Sequence, residues 1–157
     1  MKNIDLNNSN PFLLNDFLGV LGEDFIKTHD WIFSDIDAYV LKDEEEMENN
    51  TFYKEKFYLT GDELLFNLNN FDILLVFGLV IAVKKEEVRR REVNFPKLLG
   101  NKDYWDVDYT SSITGQVIEI AFYDSSYIFI SCKSEATIKK FLCKYPSFSE
   151  YTSSTFD

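Results

Sequence analysis

Apolar residues first fall into a regular spacing at Leu14, Phe17, Leu18 and Leu21, one face of a helix, just after Asn10 and Pro11. Those two suit an N-cap and the first helical position, so a helix over residues 11–22 is expected. From Trp31 to Leu41 the period changes to two. Trp31, Phe33, Asp35, Asp37 and Tyr39 fall on one side and Ile32, Ser34, Ile36, Ala38 and Val40 on the other, which predicts a strand, bent near Ser34. Residues 42–51 are polar, acidic and without period, as in a solvated hairpin connection, and the chain turns back through 52–59. Thr60 and Glu63 make a T-x-x-E capping box ahead of Leu64, Leu65 and Leu68, predicting a short helix to about Asn69. Residues 73–83 are almost continuously apolar, the pattern of a central strand buried on both faces, and Gly78 within them marks a bulge or a close approach.

Beyond this strand, residues 84–91 carry five basic residues against Glu86 and Glu87, read as a strand end whose charges guard against edge pairing. Phe95, Pro96 and Gly100 break the chain. Asp103 to Tyr109 then alternates acid and aromatic: in an extended chain Asp103, Trp105, Val107 and Tyr109 share the face toward the core, and Tyr104, Asp106 and Asp108 the face toward a partner. A hairpin joins 117–123 to 127–132 through Asp124, Ser125 and Ser126. Ser134 caps a closing helix with an apolar stripe of Ile138, Phe141 and Leu142. This order predicts an α+β fold, with a mostly antiparallel central sheet of five to six strands and helices at the N-terminus, middle and C-terminus covering one side. The 157 residues suit one domain, with 1–9 and 146–157 expected to be flexible.

Charge changes this picture more than composition does. Between Asp30 and Glu63, eleven carboxylates face Lys42, Lys54 and Lys56, which accounts for eight of the eleven net negative charges on the chain. Such a field repels nucleic acid and anionic membranes and steers basic partners at salt-dependent rates. Hydrophobic residues at 45% and aromatics at 17% argue for a packed core under the acid. No apolar stretch reaches the roughly 20 residues of a membrane helix. Residues 1–10 lack the apolar core of a signal peptide, so a cytoplasmic protein is expected.

Catalytic patterns are sparse. His29 is the one histidine, placed as a connector between helix and strand, and Cys132 and Cys143 are expected as reduced, buried thiols. The six glycines are scattered singly, without a phosphate cradle. Two D-x-D pairs, Asp35/Asp37 and Asp106/Asp108, would share a strand face and could hold a divalent cation, the basis of an alternative reading as a metal-dependent hydrolase. The favoured reading is a protein that is not an enzyme and uses no cofactor. Asp35, Asp37, Glu44, Glu45, Glu46 and Tyr53 in the first hairpin, with Tyr104, Asp106 and Asp108, are its candidate contacts with a basic protein. An acidic adaptor would use the same surface.

In size, acid excess, aromatic-rich α+β pattern and lack of catalytic groups, the chain resembles the small acidic immunity proteins of bacterial contact-dependent growth inhibition and related polymorphic-toxin systems. The resemblance implies cytoplasmic one-to-one binding to a toxin's C-terminal domain, most often a nuclease, whose active site is blocked.

Overall fold

Two long antiparallel strands, β3 (His29–Lys42) and β6 (Asp72–Lys84), form the spine of one sheet in the computed structural model of the protein. It describes residues 2–7 as backbone, and 12–85, 93–106, 108–124 and 127–150. Along the sheet the order is β4 (Glu45–Glu46), β3, β6, β7 (Gln116–Tyr123), β8 (Tyr127–Cys132), β1 (Lys2–Asn7), β9 (Ser149–Glu150). Two short strands pair beside that path, β2 (Phe12–Leu13) on β6 and β5 (Phe57–Thr60) on β3. Every pairing is antiparallel, so the α+β class holds. The sheet has more strands than the five to six expected because it also uses short strands whose pairing partners are distant in sequence. Lys2–Asn7, expected to be flexible, runs in six-residue register with β8, whose edge satisfies its backbone donors and acceptors.

Four helices pack on one face: α1 (Leu14–Gly19), α2 (Glu23–Thr28), α3 (Gly61–Asn70) and α4 (Glu135–Lys144). The single expected helix over 11–22 is instead β2 followed by α1, ending in a break at Val20–Gly22, with the unexpected α2 beyond it; its start at Asn10 and Pro11 lies outside the described residues. Gly22, at φ 88, is the residue that lets the chain reverse there. Leu14, Phe17, Leu18 and Leu21 are all buried as their spacing predicts. Inside α1, Asn15 donates to the carbonyls of Leu68 (2.6 Å) and Phe71 (2.7 Å) and accepts from Ile73 N–H (2.9 Å), closing the C-terminal end of α3 onto β6. The capping box of α3 is formed in full: Glu63 N–H donates to Thr60 Oγ1 at 3.2 Å and Thr60 N–H to Glu63 Oε2 at 2.7 Å. Ser134 caps α4 through Thr137 N–H at 3.2 Å.

The bend near Ser34 is a pair of bulges. Asp35 (φ 54) and Ile36 together oppose Gly78, and one step on Val76 is the extra residue of β6. Each insertion shifts side-chain parity by one. Hence Trp31 and Phe33 before the bulge, and Ile36, Ala38 and Val40 after it, all enter the helix-side core, together with Ile73, Leu75, Val80 and Ala82 of β6. A Cβ at Gly78 would stand 2.7 Å from Ile36 Cδ1 and 3.0 Å from Asp35 O, so this close approach requires glycine.

On the opposite face, the part before the bulges is covered by the crossover from β6 to β7, from which Leu98, Tyr104 and Ile113 pack on Ile32, Leu79, Ile81, Ala121 and Phe129. That part of the sheet is therefore buried from both sides, where helices on one side were expected. The crossover is fastened at its start by Lys56 Nζ over the Phe95 ring (5.7 Å) and by Asp35, whose Oδ2 accepts from Leu98 N–H (2.7 Å) and Leu99 N–H (3.0 Å).

Candidate functional site

Of the eleven clustered carboxylates, three serve the fold. Asp35 holds the crossover, Glu63 completes the cap of α3, and Asp30 Oδ2 accepts from the Tyr58 hydroxyl at 2.5 Å. Asp37, Asp43, Glu44, Glu45, Glu46, Glu48, Glu55 and Asp62 are exposed. The turn joining β3 to β4 places Asp43 (φ 53) and Glu44 (φ 68) in the left-handed region, the signature of a two-residue type I′ hairpin. Aspartate tolerates that conformation; glutamate is strained in it. Glu45 and Glu46 follow in β4, paired with Lys42 and Leu41. The Tyr53 hydroxyl donates to Met47 O at 2.7 Å and so closes the 47–53 segment, although the ring stays partly exposed.

The bulge separates the expected Asp35/Asp37 pair. Asp35 occupies the inserted position and is spent on backbone donors, while Asp37 projects, with Tyr39, on the face opposite the helices. The second pair does not sit on a strand at all. Lys102–Trp105 is a short 3-10 helix capped by Asn101, and Asp106 Oδ1 accepts from Asp108 N–H at 3.0 Å in a local turn; Val107 is outside the described residues. Among the described residues no group of three or more His, Cys, Asp or Glu is placed to hold a metal ion.

Tyr104 is the main correction to the candidate surface: it is 1% exposed rather than presented to a partner. Its hydroxyl and that of Tyr109 (2.9 Å) both donate to Oε1 of Glu119, a carboxyl fully buried in β7 beneath the crossover. Helical winding turns Tyr104 inward, where an extended chain would have turned it out. Burial pushes the Glu119 carboxyl above its ordinary value, opposed by the hydroxyls of Ser111, Tyr104 and Tyr109. Burial first, and Glu119 next, push both tyrosines up, which keeps them as donors. Glu119 Oε2 has no hydrogen-bond partner among the described residues, which adds to the cost of burying its charge. An acid inside the strand Val117-Ile118-Glu119-Ile120 was the available signal for this cluster.

Asp103, Asp106 and Asp108 rim a cavity of about 290 Å³ floored by Tyr104 and Tyr109. The crossover that carries it lies on the same face of the sheet as Asp37 and Tyr39. Rings bridge the two parts: Phe77 lies 5.5 Å from Tyr123, and Tyr123 lies 5.5 Å from Trp105. A larger groove of about 750 Å³ opens between α1 and α4, but Lys139, Lys140 and Lys144 line it, the wrong sign for a basic partner. His29 sits as expected between α2 and β3, with Nδ1 2.8 Å from Phe25 O. Both cysteines are free, Cys132 buried and Cys143 exposed rather than buried. The basic run at Arg89–Arg91 lies outside the described residues, and no helix among them is long and apolar enough to cross a membrane.

Compared with known proteins, the chain matches no family model, no curated protein and no solved structure.

Proposed function

We propose that the protein is an immunity or inhibitor protein that binds a basic cognate toxin domain, of the nuclease class, and neutralises it by covering its active site. It acts in the cytoplasm by occupancy, without turnover or cofactor. The observation that carries this reading is the convergence on one side of the sheet of Asp37 and Tyr39 with the Asp103–Asp108 turn, regions some seventy residues apart in the chain. A nuclease cleft that attracts phosphate is complementary to such a surface, and carboxylates there stand in for the polyanion.

The test is protection. If the neighbouring upstream reading frame encodes a basic toxin domain, co-expression of this protein with that domain restores growth, and association of the purified pair slows steeply as ionic strength rises. Undiminished toxicity, or association indifferent to salt, refutes the reading.

A further inference from the structure

The bulge pair divides the face opposite the helices into a covered and an uncovered part. The crossover packs on Ile32, Leu79 and Ile81, on one side of the bulges. On the other side Tyr39 is 51% exposed and Leu74, its direct partner across β3 and β6, is half-buried; neither belongs to a buried cluster. Phe77 and Tyr123 continue the apolar strip toward Trp105. Three exposed carboxylates frame it. Asp37 stands opposite Phe77, while Asp72 and Glu46 flank Leu41 in register from the two neighbouring strands.

We propose that this bare end of the sheet is the docking face for a basic protein, whose Lys or Arg side chains meet Asp37, Glu46 and Asp72 while an apolar residue seats on Tyr39 and Leu74. The proposal rests on the inhibitor reading and deepens it by naming the surface that does the work. Charge selects the occupant. A second copy would set the same carboxylates against themselves on a chain of net charge −11, whereas a basic surface neutralises them. Tyrosine ringed by polar groups is also the composition of an interface anchor.

The probe is a synthetic hexapeptide of alternating Arg and Trp, titrated into the full chain at low salt and followed by amide chemical shifts. A Glu/Trp peptide is the control. Shifts at Asp37, Tyr39, Glu46, Asp72 and Leu74 that vanish at high salt, are absent with the control, and weaken about tenfold in Tyr39→Ser support the proposal. Tyr39 is half-exposed, so that variant should keep the wild-type spectrum elsewhere. Shifts confined to the Asp43–Glu45 turn and the Asp103–Asp108 turn overturn this docking face and leave the inhibitor reading standing. Silence at every acidic site at low salt removes both. Sedimentation supplies the last outcome: self-association that strengthens with salt and is lost in Tyr39→Ser assigns the face to a second copy and overturns the proposal.

Discussion

On the helix side of the sheet, Phe17 meets Phe12, Phe122, Phe141, Tyr145 and Phe148 with ring centroids 5.0–6.2 Å away; on the opposite side, Tyr104 and Tyr109 converge on the buried acid Glu119. The first arrangement is held by area and by packing in T-shaped, tilted and stacked pairs, so it depends on volume. The second is held by a few directional hydrogen bonds to a group that titrates, so it depends on donors and on pH. Among its described residues the crossover from β6 to β7 has one short 3-10 helix, Lys102–Trp105, and no longer helix with a stripe to bury, so it needs such specific fasteners.

That contrast can be broken first on the helix side. Phe17→Ala, at a site with no exposure and five aromatic neighbours, should cost about 3–5 kcal/mol in urea unfolding, the largest effect of any substitution considered. On the crossover side Tyr104→Phe should cost about 1–3 kcal/mol by taking a hydroxyl donor from Glu119, with amide exchange quickening in 98–113 and unchanged in α1. The same cluster makes stability pH-dependent. The folded state raises the Glu119 pKa above its ordinary 4.5, so its neutral form is favoured in the fold; stability is full below 4.5 and declines as pH rises toward the raised value. Glu119→Gln should therefore gain on the wild type progressively above pH 4.5, and parallel pH–stability curves for the two would contradict the assignment.

Smaller effects sharpen the comparison. Asp35→Ala removes the acceptor for Leu98 and Leu99 N–H and should cost about 1–2 kcal/mol, with exchange rising first in 97–99. Glu44→Gly should instead raise stability by about 1 kcal/mol, because glycine relieves the left-handed strain of the turn. If Glu44 also meets a basic partner, that variant associates more slowly while unfolding at higher denaturant.

Much of the molecule was legible wherever cause and effect lie within one turn or one strand. The Thr60–Glu63 box, the Ser134 cap, the apolar strand at 73–83 and the 117–132 hairpin all appear close to where spacing placed them. The N-terminal strand was missed, since Lys2–Asn7 is short and polar and gains its order from β8, over a hundred residues away. Glu23–Thr28 is too short for a helical stripe to show. Asp103–Tyr109 misled because alternation reads as strand only if the backbone is extended, and burial of Tyr104 against Glu119 repays a wound one. Among candidate contacts, Asp37, Glu44, Glu45, Glu46, Tyr53, Asp106 and Asp108 are exposed as expected, Tyr53 and Asp106 while also hydrogen-bonded within the chain, whereas Asp35 is tied to the crossover backbone and Tyr104 is buried on Glu119.

The amino-acid order by itself determined the class of the fold, its central strand, its caps and the concentration of acid in about a fifth of the chain, because periodicity, capping and charge are properties of neighbours. Which carboxylates face outward was decided by the tertiary structure. A single inserted residue at Asp35 exchanges the faces of everything after it, and Glu119 stays buried because hydroxyls fifteen and ten residues away in the chain fold over it.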